Sequence, residues 1–111
     1  MTIMGTYCII SGMRVIARST LKEFYETPNY GDSKDSLEAW YHEAKRASWN
    51  SWEDIKEKYG SASILKNNRV VFNIHGNKYR LVVRINYEAQ VIYIRFIGTH
   101  KDYDNINAEE I

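Results

Sequence analysis

Between Gly76 and Asp104 the chain reads GNKYRLVVRINYEAQVIYIRFIGTHKDYD, two strand-like runs with arginines at alternate positions that end in a Gly-Thr-His-Lys-Asp-Tyr-Asp cluster. Successive side chains of a strand point to opposite faces, so every second residue shares a surface. From Tyr79 to Tyr87 the odd positions Tyr79, Leu81, Val83, Ile85 and Tyr87 suit a core, and the even positions are Arg80, Val82, Arg84 and Asn86. In the next run Ile92, Ile94 and Phe96 form the apolar set, with Tyr93 and Arg95 opposite them beside Val91 and Ile97. Pairing the runs across a turn at Glu88 to Gln90 puts several cations and a tyrosine on one sheet face. The chain then delivers His100, Lys101 and Tyr103 to the end of that face. Arginine forks and a lysine suit a polyanion. His100 is the only histidine placed beside them, and an imidazole, with an ordinary pKa of about 6.5, exchanges protons near neutrality.

Each of these residues also has a plain structural explanation. A histidine just after a strand is ordinarily a surface residue, and Arg84 and Asn86 fit cross-strand pairing with Glu88 or the backbone. His42 and His75 read as structural or solvated. His42-Glu43 lacks the second ligand at helical spacing that a zinc site needs, and Asp102 and Asp104 suit turn or cap roles better than metal binding. No metal site is expected. Trp40, Trp49 and Trp52 read as core residues.

The 111 residues suffice for one domain with a single core. An apolar fraction of 44% with 14% aromatics is that of a folded chain. The lone Cys8 cannot form an internal disulfide, which fits a reducing compartment. No apolar run approaches the roughly 20 residues of a membrane span. The opening MTIMGTYCIISG lacks the basic start of a signal peptide, so a cytoplasmic protein is expected. The net charge of +1 hides an uneven distribution: residues 1–63 hold eight Lys and Arg against nine acids, whereas residues 64–103 hold seven against two. Phosphate binding depends on where cations sit, so this local excess outweighs the overall balance.

The elements that must position these residues are helical first and stranded afterwards. MRVIA (Met13 to Ala17) is a short β-like run. Thr20 to Glu23 fits a capping box opening a helix that Pro28 ends, with Leu21, Phe24 and Tyr25 on one face. A second helix is expected from about Asp35 to Ala47, its core stripe formed by Leu37, Trp40, Tyr41, Ala44 and Ala47. Ser51 to Asp54 opens a third, short helix with Trp52, Ile55 and Tyr59 on its apolar edge, closed by Gly60. Residues 69–74, 79–87 and 91–97 then read as consecutive strands, with a Gly-Asn turn between the first two. Short connections favour antiparallel neighbours, so the expected fold is α+β: an N-terminal strand and helices packed on a mainly antiparallel sheet with a C-terminal three-strand meander. A closing helical turn is expected within 101–111.

The order β-α-α-α-β-β-β, the start MRVIA, the segments NNRVVFNI and GNKYRLVV and the ending GTHKDYD together resemble the HigB branch of the RelE-like bacterial toxins. The resemblance runs from Met13 to the C-terminus. Residues 1–12 fall outside it and are expected to be an N-terminal extension to a single toxin domain at 13–111. The resemblance implies the toxin of a type II toxin–antitoxin pair, a ribosome-dependent messenger RNA endonuclease held in check by a HigA-like antitoxin, with no membrane partner and no cofactor. Metal-free RNA cleavage by the ribose 2′-OH needs a base, a cationic clamp for the phosphorane-like transition state and an acid for the leaving 5′-oxygen. Arg80 stands where the family places a strand arginine on the phosphate. His100, Tyr103 and Arg95 join it as catalytic candidates, and Lys78, Arg84, Asn86, Lys101 and Tyr93 are the RNA-binding candidates. The best-known RelE pattern lacks the histidine, which makes this apparatus His-assisted or mixed. A non-catalytic module of the same fold, acting through its antitoxin or in transcription, and a topoisomerase poison are the alternatives, because fold alone does not decide function.

Overall fold

The computed structural model describes residues 12–111; Cys8 and nearly all of the expected N-terminal extension lie outside them. Among the described residues, three helices and a single 3-10 turn precede most of the sheet, and a fourth, short helix follows it. Strand β1 (Arg14–Ile16) leads into α1 (Arg18–Tyr25), a 3-10 turn (Gly31–Ser33), α2 (Lys34–Arg46) and α3 (Trp52–Lys58). Strands β2 (Ser63–Ile64), β3 (Arg69–Ile74), β4 (Tyr79–Asn86) and β5 (Val91–Thr99) follow, and α4 (His100–Tyr103) completes the order. The sheet runs β1-β5-β4-β3-β2, with β1 parallel to β5 and every other pair antiparallel. The expected α+β fold and its β3-β4-β5 meander are what the chain adopts. The two-residue β2 was not anticipated, being too short for alternation to register.

The helices form as their apolar spacing requires. Leu21 and Tyr25 of α1 and Leu37, Trp40 and Ala44 of α2 are buried at three- and four-residue intervals. Lys45 and Arg46 lie in the last turn of α2, where cations complement the helix dipole. The expected capping box at Thr20 does not form: α1 begins two residues earlier, behind an extended Ala17 that has no side-chain cap. β1 ends at Ile16, and the chain turns at once to bring Leu21 and Tyr25 beneath the sheet. At α3 the Asp54 carboxylate accepts the Asn50 N–H at 2.9 Å, while Ser51 makes no side-chain cap. Trp52 also departs from expectation, since it is 48% exposed while Trp40 and Trp49 lie in the core. It occupies the first position of a seven-residue helix whose only buried residue is Ile55.

The inner sheet face meets the helices. Val70, Phe72, Ile74, Tyr79, Leu81, Val83, Ile85, Ile92 and Ile94 are buried there against Leu21, Leu37, Trp40, Trp49 and Ile55. One expectation about facing is corrected. Val82 pairs with Phe96 and Val83 with Ile94, so a single step along β4 spans two along β5 and leaves Arg95 unpaired. This β-bulge reverses the phase of alternation. Phe96, expected with Ile92 and Ile94, instead joins Val71 and Val82 on the outer face, and Ile97 packs against the core.

Candidate functional site

The register arranges the outer face in rows across β3, β4 and β5. Asn73, Arg80 and Gly98 form the row nearest the β3–β4 hairpin, Val71, Val82 and Phe96 the next, and Arg69, Arg84 and Tyr93 the third. The middle row is covered. After α4 the chain turns back over it, burying Ala108 against Val71 and Val82 with Leu65, Phe96, Tyr103, Ile106 and Ile111 packed around them. The far end of this segment is fastened to the β2–β3 connection and to Arg69. Asn67 Nδ2 donates to the Glu109 carbonyl at 3.1 Å, and Arg69 Nε donates to the Ile111 carbonyl at 3.0 Å. A second guanidinium N–H of Arg69 donates to the same oxygen, and Nη1 to the Asn67 carbonyl at 2.8 Å. Arg69 is therefore committed to the fold. The segment divides the outer face, leaving Arg80 toward one end and Arg84 with Tyr93 toward the other, four residues or about 13 Å apart along β4.

At the hairpin end Arg80 is half-buried, and its Nη1 donates to the Asn77 carbonyl at 3.1 Å. Its cross-strand partner is Gly98. A Cβ built on Gly98 would stand 2.7 Å from Phe96 Cζ and 3.3 Å from Asp102 Cβ, so a larger residue here must push the Phe96 ring and α4 away from this row. Thr99 then caps α4 reciprocally: its hydroxyl accepts the Asp102 N–H at 3.1 Å, and its own N–H donates to the Asp102 carboxylate at 3.3 Å. The box fixes the direction in which the chain leaves β5, and with it His100 as the first residue of α4. His100 is exposed, with Nδ1 3.5 Å from Asp104 Oδ2 one turn on. Tyr103 lies 6.5 Å from the Phe96 ring, centroid to centroid, which ties α4 to the outer apolar cluster. Lys101 is exposed beside His100. Gly98→Val is accordingly expected to dislodge α4 while sparing the helical core. The measurable result is loss of activity with a urea midpoint lowered by the equivalent of about 1–3 kcal/mol, the usual range for overpacking.

At the other end the Arg84 guanidinium lies 5.9 Å from the Tyr93 ring centroid, within cation–π range. Asn86 accepts the Ala89 N–H at 3.0 Å and so shapes the β4–β5 turn. Asn68, Arg84, Asn86, Tyr87 and Glu88 line a shallow polar concavity here. Arg95, the bulge residue, is exposed one position from Phe96. Among the described residues no carboxylate lies within ion-pair distance of Arg80, Arg84, Arg95 or Lys101, whereas Arg18, Lys58 and Lys78 are each paired. Arg80, Arg84 and Arg95 thus lie unpaired on the outer face and Lys101 on its adjoining turn, while other unpaired cations, such as Lys34 and Lys45, lie on the helices.

Lys78 does not join them. Strict alternation would send it to the outer face with Arg80, but it stands in the hairpin loop before β4, where alternation does not hold, and its ammonium donates to Asp32. The Tyr79 hydroxyl donates to the same carboxylate. Lys78 and then Tyr79 hold the Asp32 carboxyl below the usual carboxylate range, and Asp32 in turn raises Lys78. Burial, followed by the hydrogen bond to Asp32, pushes the Tyr79 phenol up. Asp32 and Arg69 were not singled out from the sequence. Their partners are 46 and 42 residues away, and no local pattern announces such contacts.

A five-strand mixed sheet with helices on one face and free cations on the other, ending in a capped His-bearing turn, is compatible with the RelE-like toxin architecture. A family model described as HigB toxin, the RelE-like toxic component of a toxin–antitoxin system, matches residues 33–106, which span α2 through α4. The chain is 32% identical over 98 residues to the mRNA interferase toxin HigB of Escherichia coli K12, covering 86% of this chain and 92% of that protein. The proteins named mRNA interferase HigB in Escherichia coli O157:H7 and Shigella flexneri match with the same identity and coverage. This chain belongs to the HigB toxin family, whose members are the toxic halves of toxin–antitoxin pairs. An antitoxin is therefore its partner.

Proposed function

We propose that the protein is a messenger RNA endonuclease that cuts on the ribosome by 2′-OH attack, without a metal ion. The observation that carries this reading is that Arg80, Arg84, Arg95 and Lys101, none paired with a carboxylate among the described residues, lie on the sheet face that the helices leave open and on the turn that carries His100. Arg80 clamps the scissile phosphate, its guanidinium answering the charge that develops on the phosphorane oxygens. His100 moves the proton, Arg95 supplements the clamp, and Tyr103 holds the 2′-OH or stacks on a base. Arg84, Asn86 and Tyr93 take a flanking nucleotide on the far side of the C-terminal segment, with the base against Tyr93 and a phosphate on Arg84. Lys101 adds charge beside the histidine. Lys78, held by Asp32, serves the fold. The cationic face binds the phosphates locally, but the near-neutral net charge of +1 weakens non-specific hold on free RNA, so cutting depends more on the ribosome to position the message. The names of the curated relatives support messenger RNA as the target. The antitoxin is HigA-like and the pair works in the cytoplasm.

The test is to map message ends on translating ribosomes after adding the purified toxin, beside the same message free in solution. Cuts confined to the translated message are expected. Equal cutting of free RNA would remove the ribosome from the mechanism. Arrest of growth with intact message and altered DNA supercoiling would replace it with topoisomerase poisoning.

A further inference from the structure

We infer that Asp32 is a positioning residue for Arg80, acting through the β3–β4 hairpin. Arg80 depends on that hairpin directly, because Nη1 donates to the Asn77 carbonyl within the loop at 3.1 Å. The loop itself, His75 to Lys78, is weakly closed. His75 and Gly76 both have positive φ, at 55° and 67°, and the turn is joined by one long backbone hydrogen bond, Lys78 N–H to the His75 carbonyl at 3.3 Å. A loop tip of this kind opens readily when nothing else holds it.

Asp32 supplies the hold. Its two carboxylate oxygens accept hydrogen bonds from the Lys78 ammonium and the Tyr79 hydroxyl, and Oδ2 lies 3.8 Å from His75 Nε2. One carboxylate thus reaches the first and last residues of the loop and the first residue of β4. Asp32 is in turn fixed from the helical layer. Phe24 and Tyr30 stack at 4.6 Å, and the Tyr79 ring meets them edge-on at 5.3 and 5.9 Å. The adjacent Ser33 is fully buried, and its hydroxyl donates to the Tyr30 carbonyl at 2.7 Å. The α1–α2 connection and the hairpin are therefore one unit. Arg80 takes its direction from it, although Asp32 belongs to the helical layer and touches no group proposed to meet RNA.

This inference rests on the nuclease reading above for its catalytic consequence, but not for its structural one. The experiment uses the full chain with Asp32→Asn, Asp32→Glu and Tyr79→Phe, the last removing a single donor while keeping the ring in the core. The Arg80 guanidinium N–H resonances are followed by NMR, and single-turnover cleavage of a translated message is measured well below the melting temperature. Asp32→Asn is expected to shift the Arg80 resonances and speed their exchange with water. Its cleavage rate should fall by about 10- to 100-fold, the cost of misplacing a group by about an ångström, with little change in apparent substrate affinity. Asp32→Glu should restore part of the rate, and Tyr79→Phe should move both readouts in the same direction by less. Arg80 resonances unchanged in both Asp32→Asn and Tyr79→Phe would overturn the inference whether or not the protein cuts RNA. So would an Asp32→Asn variant that cuts at the parent rate. A parent protein that does not cut, with the Arg80 shifts present, would leave the positioning role standing and sink the nuclease reading instead.

Discussion

Arg80→Ala is expected to slow message cleavage by about 10²- to 10³-fold, the typical cost of removing one preorganised donor from a charged transition state. His100→Ala is expected to cost about 10²- to 10⁴-fold, the range for a general acid or base. Both follow from the row geometry: Arg80 stands opposite Gly98, and the Thr99–Asp102 box starts α4 at His100 immediately after it. Arg80→Lys keeps the charge but loses the fork and the bond to the Asn77 carbonyl, so it should recover only part of the loss. The two residues serve one transition state, and the double variant should lose far less than the product of the single losses. Single-turnover cleavage on translating ribosomes measures the effect, and growth of cells expressing each variant without antitoxin reports it in vivo. Variants that stop growth as strongly as the parent would end this account of the chemistry. Neither residue belongs to the buried core, so the urea midpoints should stay near the parent's.

The second large effect concerns stability. Phe72→Ala is expected to cost about 3–5 kcal/mol, the range for truncating a buried aromatic. Phe72 is 1% exposed, and its ring packs at 5.1 Å from Tyr59, 5.4 Å from Trp40 and 6.1 Å from Trp49. The aromatic ring of β3 is thus where α2, α3 and the segment between them converge on the sheet. Domains of this size are stable by only about 5–15 kcal/mol, so the variant should be close to unfolding at growth temperature. Urea denaturation followed by tryptophan fluorescence provides the check, with Trp52→Ala as the control. Trp52 is exposed, and its removal should fall within about 0.5 kcal/mol of the parent. A Phe72→Ala midpoint no lower than that of Trp52→Ala would show that the core is organised around some other residue.

Much of this was legible in the sequence where the signal is local. Alternation over Tyr79 to Ile85 correctly assigned the inner face of β4, and the three-and-four spacing of Leu37, Trp40 and Ala44 identified α2 and its buried side. Asp102 and Asp104 suited turn or cap roles better than a metal site, and Asp102 does form the cap of α4. Failures came where an element was short or its phase could change. The bulge at Arg95 shifted Phe96 to the outer face without breaking the apolar run, and Thr20 offered a cap that the early start of α1 left unused.

By itself, then, the sequence determined the class of fold, the inner faces of β4, α1 and α2, the family text and the concentration of cations in the last third. These are set by side-chain periodicity and composition within a few residues, which burial can satisfy in only one way. Tertiary structure alone decided which cations remain free. Lys78 and Arg69 are captured by Asp32 and the Ile111 carbonyl across 46 and 42 residues, while Arg80, Arg84, Arg95 and Lys101 meet no carboxylate among the described residues. It also decided that Ala108 and its neighbours cover Val71 and Val82 and divide the face. The physical reason is the same in each case: a charge is claimed by whichever partner the completed fold brings within a few ångströms, and chain separation carries no record of that meeting.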